Sequence, residues 1–561
     1  MQPDNPDFTV SPIPVFRAVA DVLDRLGAKH LFGLLGDGNF RFAVAARERG
    51  IVYHGARHEN ASIAMADTFA RIARTVGVAT VTTGPGLTNA CAGLEEAVRA
   101  RTPLVVLAGA VGNSQADHQQ LLDQDGVMRA LGCGVQRYRG PAHVVEDLTT
   151  AFRRAIAERR PIVFSIPGDE QEAPTIPAPE SRMPSVPRAH PAPDTTMDVR
   201  ELILQSERPV IIAGQGAYSS DAEEALRRLG DRIGALMCTT AVTKGLFADD
   251  PFLAGVSGGF APEGIARLLE KADLVLAFGA SLNKWTTRTG TLYANATIVQ
   301  VDDRDFAFER LQRSVVPVLG DARATAEDLV AAIADDEAHP RWRTSATKEI
   351  LRRYAEGDPY EDESNGRTID PRKLTIELAR RLPDRAMVVT DSGAWVGFVG
   401  SFFRPKRGGR FLFPQASQCL GLGIAHTLGA AAAAPETIGV SLIGDGGLLM
   451  SLGELETVLR EGRPHLVVVY NDSAYGAEIH VARHHGLPVD IVQFPDSDFA
   501  AIATAMGGRG AVVRSIDDLA VLDDWLRAPE GLLLLDAKID SDIPAPLWRE
   551  FFRPSPAADG H

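Results

Sequence analysis

The chain has 561 residues, 45% of them hydrophobic, which is enough for three or four domains with buried cores. A formal net charge of −15 argues against a nucleic-acid or anionic-membrane surface and favours small-molecule chemistry. Four cysteines lie scattered without CxxC spacing, which argues against a zinc site or a disulfide framework. The N-terminal residues lack a basic segment followed by an apolar run, so we expect no signal peptide and a cytoplasmic location.

Short apolar segments alternate with helical patterns along the chain, which predicts parallel β-sheets with crossover helices. A proline-rich stretch (171–195) and a charged stretch (336–370) have the composition of linkers, the second with a helix. We therefore predict an α/β fold of three doubly wound parallel-sheet domains, at 1–185, 190–340 and 366–555. The predicted strands include Leu31–Gly33, Val78–Val81, Leu104–Leu107, Val210–Ile212, Leu274–Phe278, Thr297–Val301, Met387–Val389, Ile438–Ile443 and Leu466–Tyr470.

Two of these strands end in polar turns in the C-terminal third. Ile438–Ile443 leads into Gly444-Asp445-Gly446-Gly447, where glycines let a ligand approach the backbone and a carboxylate can bind a hard cation. Leu466–Tyr470 ends in Asn471-Asp472. Because neighbouring parallel strands end at the same sheet edge, where open α/β sheets bind ligands, we expect one metal and phosphate site.

The succession of strand, Gly-Asp-Gly, helix, strand and Asn-Asn resembles the signature of enzymes that use thiamine diphosphate (ThDP) and Mg²⁺. This chain has Asn471-Asp472 where that family usually has two asparagines. The resemblance implies that Mg²⁺ is bound by Asp445, Asp472 and the backbone carbonyl of Ala474, and aspartate keeps an oxygen ligand. Asn471 remains an alternative ligand. The implied cofactor contacts in this segment are Gly444, Asp445, Gly446, Gly447, Asp472 and Tyr475.

A second candidate half-site lies near the N-terminus, where His58-Glu59 precedes a turn, Thr83-Gly84-Pro85-Gly86. Glu59 alone is typical of an acid at a helix N-terminus. Together the two motifs resemble the pyrimidine-binding domain of the acetolactate-synthase-like and 2-oxo-acid decarboxylase group. The resemblance implies that Glu59 shares a proton with the pyrimidine N1′, and that Gly84, Pro85 and Asn89 contact the cofactor.

Gln418 and Leu420 also resemble cofactor contacts of that group. Leu420 matches the bulky residue that supports the bent cofactor, and the backbone carbonyl of Gln418 would accept from its amino group. Core packing is the alternative role for Leu420, and both interpretations predict that it is buried.

Other residues resemble the groups that select the reaction. Asp37 in Gly36-Asp37-Gly38-Asn39, His118 and Glu478 resemble catalytic residues of decarboxylases, whereas Gln120 resembles a glutamine of acetolactate synthases. The alternatives are that Asp37 stabilises a turn and that Glu478 lies on an exposed helix face.

The middle third offers only a weak nucleotide signal, Gly214-Gln215-Gly216 after a strand. Acetolactate synthases bind FAD in the corresponding domain with an arginine-rich segment, where this chain has Ser281-Leu282-Asn283-Lys284-Trp285. Bound FAD is therefore not expected.

The resemblance implies a ThDP- and Mg²⁺-dependent lyase or transferase that breaks or forms a C–C bond next to a carbonyl. Non-oxidative decarboxylation of a 2-oxo acid, with or without carboligation, is the first expectation. The alternatives are acetolactate-synthase-like acyl transfer and a non-catalytic binding or regulatory protein of the same fold. Expected partners are a small 2-oxo acid or ketone and further copies of the chain, a homodimer at minimum and a homotetramer by resemblance, without nucleic acid or membrane.

Overall fold

The structure, a computed structural model, describes residues 11–112, 117–177, 187–310, 315–334, 341–406 and 410–552. It contains three six-stranded parallel sheets, which confirms the predicted fold class. Contacts group the chain into two compact units. The first unit comprises 1–186, 414–439 and 449–463, and the second comprises 187–413, 440–448 and 464–561. The predicted domain boundaries stay a prediction.

The first sheet has the strand order β3-β2-β4-β5-β7-β6, and a short antiparallel ribbon pairs β1 with β8. Its strands are β1 (Ile13–Pro14), β2 (His30–Gly33), β3 (Val52–Gly55), β4 (Gly77–Val81), β5 (Leu104–Ala110), β6 (Gly134–Gln136), β7 (Pro161–Pro167) and β8 (Pro174–Thr175). Its helices are α1 (Val15–Arg25), α2 (Phe40–Glu48), α3 (Glu59–Ala73), α4 (Pro85–Asn89), α5 (Cys91–Arg99), α6 (Gln124–Ala130) and α7 (Val144–Glu158). The direction in which successive strands are added to the sheet reverses between β2 and β4, and open α/β sheets bind ligands at such positions.

The second sheet has the order β11-β10-β9-β12-β13-β14. Its strands are β9 (Pro209–Ala213), β10 (Leu236–Thr239), β11 (Leu253–Val256), β12 (Leu274–Phe278), β13 (Thr297–Asp302) and β14 (Val316–Leu319). Its helices are α8 (Pro193–Gln205), α9 (Gln215–Ser219), α10 (Glu223–Ile233), α11 (Glu263–Leu269), α12 (Lys284–Thr287) and α13 (Ala322–Ala332). The central strands β9 and β12 are buried along their whole length, as expected for a sheet covered on both faces.

The third sheet has the order β16-β15-β17-β18-β20-β19. Its strands are β15 (Ala386–Thr390), β16 (Phe411–Leu412), β17 (Ile438–Gly444), β18 (His465–Asn471), β19 (Arg509–Val513) and β20 (Leu532–Lys538). The remaining helices are α14 (Ser345–Arg353), α15 (Pro371–Arg381), α16 (Val396–Phe402), α17 (Gly423–Ala433), α18 (Asp445–Met450), α19 (Glu454–Glu461), α20 (Gly476–His484), α21 (Phe499–Ala505), α22 (Ala520–Arg527) and α23 (Leu547–Phe551). Short 3₁₀ turns lie at Pro141–His143, Gly168–Glu170, Ala241–Thr243, Asp305–Arg310, Asp490–Val492 and Asp517–Leu519.

All the strands predicted from apolar segments are present, with bounds that differ by at most three residues at an end. The helix expected in the charged stretch is α14 (Ser345–Arg353). Parts of both predicted linkers, residues 178–186 and 336–340, lie outside the described residues. Over the described ranges, no helix has the length and apolar character needed to cross a membrane.

Candidate cofactor site

Glu59 begins α3, just after β3, at the carboxyl edge of the first sheet. Its side chain is buried, with 6% exposure. The side-chain amide of Asn89 donates a hydrogen bond of 3.1 Å to Oε2 of Glu59. No hydrogen bond from a described residue reaches Oε1. The carboxyl is therefore shielded from water, with one oxygen held by the protein and the other available to a ligand.

Helix α19 of the same unit fixes the backbone that leads to Glu59. The backbone N–H of Arg57 donates to Oε1 of Glu454 at 2.9 Å, and Arg460 donates to the carbonyl of Gly55 at 2.6 Å. Glu454 is 2% exposed, and burial raises its pKa. His54 lies 3.1 Å from the carboxylate of Glu461. Sequence analysis missed this contribution, because the two segments are about 400 residues apart along the chain.

The Gly-Pro-Gly turn also depends on a residue that the motifs did not reveal. Gly84 has a φ of 59°, and a β-carbon built there would lie 2.8 Å from the carbonyl oxygen of Gln120. Gly84 donates its N–H to Oε1 of the buried Gln124 at 2.9 Å, and Gln124 donates to the carbonyl of Gly109 at 3.0 Å. Only glycine fits this left-handed turn, and Gln124 fixes its orientation. Pro85 is exposed beside it.

Two of the residues that resemble reaction-selecting groups, Asp37 and His118, lie in exposed loops of the first unit. The side chain of Asp37 is fully exposed, and its Oδ1 lies 3.8 Å from Arg41 Nη1. The turn around it is stabilised by Asn39, whose Oδ1 accepts from the Gly36 N–H at 2.8 Å. The alternative role of Asp37 as the stabiliser of this turn therefore finds no support. His118 is exposed, and its Nδ1 accepts from the Gln120 N–H at 3.1 Å.

Gln418 and Leu420 lie in the irregular segment before α17. Gln418 has a φ of 61°, a left-handed conformation that is uncommon for a residue with a β-carbon. Leu420 is 40% exposed, so the prediction that it is buried is wrong. The reason is local, because Leu420 lies before α17 and the buried stretch begins only at Leu422 and continues through the helix.

In the second unit, the buried carboxyl of Asp445 and the half-buried carboxyl of Asp472 interact electrostatically. Burial raises the pKa of Asp445 to about 6. Burial, and next the charge of Asp445, raise the pKa of Asp472 to about 8. No described Lys, Arg or His lies within ion-pair distance of either, and the described ranges contain no group of three or more His, Cys, Asp or Glu that could hold a metal ion. Two like charges without a countercharge fit a hard divalent cation, which would hold both carboxylates ionised.

Asn471, the alternative ligand, has both side-chain polar atoms engaged by the protein. Its Nδ2 donates to Asp536 at 2.8 Å, and its Oδ1 accepts from the Ser473 N–H at 3.1 Å. Asp536 in turn lies 2.8 Å from the Lys538 ammonium. This arrangement makes Asn471 part of the scaffold and favours Asp472 as the ligand.

The loop after Asp472 does not use the Ala474 carbonyl in its backbone bridge. The N–H of Ala474 donates to Asp472 Oδ1 at 3.2 Å. An isolated antiparallel bridge to Gln493 uses the Ser473 carbonyl and the Tyr475 N–H, so the Ala474 carbonyl takes no part in it. Tyr475 is 49% exposed, and Glu478 is exposed in the first turn of α20. The exposed helix face expected as one alternative for Glu478 is thus present.

Sequence analysis also missed the strand end that supports the Gly-Asp-Gly-Gly turn. A β-carbon on Gly447 would lie 2.2 Å from Oδ2 of Asp391, which directly follows β15. Trp395 stacks on Tyr470 of β18, with centroids 4.9 Å apart. The run Asp391-Ser392-Gly393 after a predicted strand was the available signal. Strands β15, β17 and β18 thus bring their polar ends to one edge.

The glycines of the central domain are engaged within the protein. The Gly214 N–H donates to the carbonyl of Phe278 at 2.9 Å, and the Gly216 N–H donates to that of Gly279 at 3.0 Å. These bonds join the ends of β9 and β12. The expectation that FAD does not bind stays a prediction.

Three family models match the chain in order. They describe a thiamine pyrophosphate enzyme's N-terminal TPP binding domain (residues 13–127), central domain (197–329) and C-terminal TPP binding domain (391–536). The chain therefore belongs to the thiamine pyrophosphate enzyme family, and the resemblance stated from the motifs is confirmed.

Similar curated proteins have different activities. The chain is 31% identical over 541 residues to a probable 2-ketoarginine decarboxylase of Pseudomonas aeruginosa, covering 92% of this chain and 91% of that protein. It is 28% identical over 531 residues to a sulfoacetaldehyde acetyltransferase of Castellaniella defragrans, covering 88% and 87%. It is 27% identical over 524 residues to a probable acetolactate synthase large subunit of Methanocaldococcus jannaschii, covering 90% and 88%.

Among solved structures, a thiamine diphosphate-dependent 4-hydroxybenzoylformate decarboxylase of Rhodococcus jostii RHA1 has the same fold. The TM-score is 0.79 at 21% sequence identity, covering 94% of this chain and 99% of that chain. The chain is thus a ThDP-dependent enzyme of the acetolactate synthase and decarboxylase group.

Proposed function

We propose that this enzyme uses ThDP and Mg²⁺ to break or form a C–C bond next to a carbonyl, first of all in the non-oxidative decarboxylation of a 2-oxo acid, with or without carboligation. The observation that carries the proposal is the buried Glu59 carboxyl, held through Oε2 by Asn89. Its Oε1 takes no hydrogen bond from a described residue, so it is the oxygen that can share a proton with a basic ring nitrogen.

The residues of the second unit suit the diphosphate and the metal. Asp445, Asp472 and the Ala474 carbonyl would bind Mg²⁺, while Gly444, Gly446 and Gly447 let the diphosphate approach the backbone and Tyr475 lies beside them. In the first unit, Glu59, Gly84, Pro85, Asn89, Gln418 and Leu420 would hold the pyrimidine. When bound, ThDP supplies a carbon nucleophile that adds to a carbonyl and stabilises the negative charge left when the adjacent C–C bond breaks.

The chain's own residues then divide the proton transfers. Glu59 would exchange a proton between Oε1 and the pyrimidine N1′. Asp37, His118 and Glu478 would donate or accept protons at the substrate, and each is exposed, so a substrate can reach it. We further propose that the Glu59 half-site of one subunit meets the Asp445 half-site of another, in a homodimer at minimum and in a homotetramer by resemblance.

Acyl transfer of the acetolactate synthase kind is the second candidate. Gln120, which resembles the glutamine of that group, lies against Gly84 of the Gly-Pro-Gly turn. An acetyltransferase and a probable acetolactate synthase are also among the similar proteins. From its position beside the turn, Gln120 would orient an acceptor carbonyl. Decarboxylation and acyl transfer then differ only in the step after the first C–C bond is broken.

The test is product analysis with the purified full chain, ThDP and Mg²⁺. Pyruvate, 2-ketoarginine, 4-hydroxybenzoylformate and sulfoacetaldehyde are supplied singly, with and without a second carbonyl compound. Decarboxylation releases CO₂ and a free aldehyde, whereas acyl transfer releases CO₂ and joins the remaining acyl group to an acceptor carbonyl, which can be a second molecule of the same 2-oxo acid. Glu59→Gln keeps the side-chain volume without a carboxyl proton, and it should bind ThDP normally while losing turnover. Equal turnover in the wild type and in Glu59→Gln would contradict the proposal.

A further inference from the structure

Helix α5 carries two consecutive glutamates with opposite surroundings. Glu95 is exposed and pairs with Arg99, with 2.6 Å between Oε1 and Nε. Glu96 is 1% exposed. Its Oε1 accepts from the Ala416 N–H at 3.0 Å, and its Oε2 accepts from the Ser417 N–H at 2.7 Å and the Ser417 hydroxyl at 3.0 Å. A buried carboxylate is thus directed at two successive backbone amides of a distant segment.

The charge of Glu96 is maintained by its neighbours. Arg71 donates to Glu96 Oε1 at 3.2 Å and also holds both oxygens of Asp67, at 2.9 and 2.5 Å. Burial opposes ionisation of Glu96, but Arg71, His426 and the two backbone amides outweigh it and lower the pKa of Glu96. Burial instead raises the pKa of Asp67. The neighbours thus favour the charged form of Glu96, and charged acceptors make the stronger hydrogen bonds.

The segment that Glu96 holds contains a strained residue. Gln418 directly follows Ser417 and has a left-handed φ of 61°. A β-carbon makes this conformation unfavourable, so it persists only where the surroundings enforce it. The hydrogen bonds of Glu96 to Ala416 and Ser417 supply such enforcement immediately before the strained position.

We infer that Glu96 is a positioning residue for the cofactor, because it fixes the backbone that presents the Gln418 carbonyl and the Leu420 side chain. This inference rests on the proposed ThDP function, in which both groups contact the pyrimidine half of the cofactor. Glu96 itself does not touch the cofactor in this scheme. It acts through the Ser417–Gln418 backbone alone.

Glu96→Gln is the sharpest test. An amide has one acceptor oxygen, so it cannot accept from both backbone N–H groups and from Arg71 together. The matched control is Glu95→Gln, on the same helix one residue away, which changes only an exposed ion pair. In the apo full chain, amide hydrogen exchange at Ala416 and Ser417 should accelerate about tenfold in Glu96→Gln, the scale of one charge-assisted hydrogen bond. The control should match the wild type.

The second readout is hydrogen–deuterium exchange at C2 of ThDP, at saturating ThDP and Mg²⁺ and well below the unfolding midpoint. We expect it to slow about tenfold in Glu96→Gln, because a misplaced carbonyl no longer orients the amino group. A role in stability alone would lower the midpoint without changing this rate. If Glu96→Gln does not fold, Ser417→Ala removes only the hydroxyl contact and should change both rates in the same direction by less.

Glu59→Gln is measured in parallel as the reference for the C2 exchange rate. If Glu59→Gln slows C2 exchange while Glu96→Gln, or Ser417→Ala in its place, exchanges like the wild type, the positioning role is refuted. If Glu59→Gln itself exchanges at the wild-type rate, the proposed function has failed instead, and the positioning inference falls with it.

Discussion

Asn89 at the end of α4 donates its side-chain amide to Oε2 of Glu59 at the start of α3, over 3.1 Å. The hydrogen bond joins the two N-terminal motifs, the His-Glu pair and the Gly-Pro-Gly turn. It also distinguishes the two oxygens of one carboxyl, because Oε2 is held by the protein. If Glu59 shares a proton with the cofactor, the orientation of that carboxyl depends on Asn89.

Asn89→Ala should therefore slow C2 exchange of bound ThDP by roughly three- to tenfold, the equivalent of one neutral hydrogen bond. The affinity for ThDP should change little, because the proposed diphosphate contacts lie in the second unit. Quenched NMR measures the exchange rate, and titration calorimetry measures the affinity. Thr88→Ala, the exposed neighbour whose hydroxyl contacts the Pro85 carbonyl, is the control. An unchanged exchange rate in Asn89→Ala would show that the hydrogen bond does not orient Glu59.

The paired carboxylates Asp445 and Asp472 give a graded metal prediction. Asp472→Asn keeps an oxygen ligand and restores the usual asparagine pair, so Mg²⁺ affinity should fall only modestly. Asp472→Ala and Asp445→Asn should each weaken Mg²⁺-dependent ThDP retention more, by about tenfold or beyond, since a charged ligand is lost. Equilibrium dialysis with ThDP over a Mg²⁺ series measures this order. Equal affinity in all three variants would remove these residues from the metal site.

Substitution of Asn471 tests whether this residue has a structural role rather than binding the metal. Asn471→Asp places a carboxylate against Asp536, where the amide now donates at 2.8 Å. We expect the free energy of unfolding to fall by about 1–3 kcal/mol, the cost of an unsatisfied buried polar group. Asp472→Asn, one residue on, should leave it unchanged or higher because it removes one of two like charges. Urea unfolding of the metal-free chain compares the stability of the two variants. If Asn471→Asp is stable and binds Mg²⁺ more tightly than the wild type, residue 471 rather than Asp472 is the metal ligand.

Part of the fold followed from the sequence, although the fully buried strands β10 and β20 were not among the predicted strands. Central strands such as β5 and β12 appear as uninterrupted apolar runs, so their positions were predictable. Edge strands were not, since β6 has three residues and β16 has two, too short to form a pattern. The cofactor-binding motifs of both units could also be predicted, because their glycines and acidic residues lie at or just after the ends of strands.

The residues that hold those motifs in place could not be predicted. Gln124 reaches Gly84 across 40 positions, Glu96 reaches Ser417 across 321, and Glu454 reaches Arg57 across 397. A single sequence carries no signal for contacts of that range. Leu420 was predicted to be buried because it is large and apolar, but it is exposed. Its side chain alone does not reveal that it lies in a loop before a helix.

Lys244, after β10 in the central domain, is a buried cation outside the proposed site. It is 8% exposed, and its ammonium donates to the backbone carbonyl of Gly400. Burial, together with the charge of Arg404, lowers the pKa of Lys244 well below its usual value. No carboxylate of the described residues lies within ion-pair distance of it. Folding therefore requires this lysine either to release its proton or to keep an uncompensated charge.

Lys244→Met should consequently stabilise the protein, and more at pH 7 than at pH 9.5. Below the ordinary lysine pKa, the unfolded chain binds a proton that the folded chain releases, so the stability of the wild type rises with pH across that window. Methionine does not titrate, and its advantage should shrink as the pH approaches the value for a free lysine. Thermal unfolding at both pH values measures the difference, with Lys348→Met on the exposed face of α14 as the control. A Lys244→Met variant that is less stable than the wild type at pH 7 would show that the bond to Gly400 outweighs the cost of burying the charge.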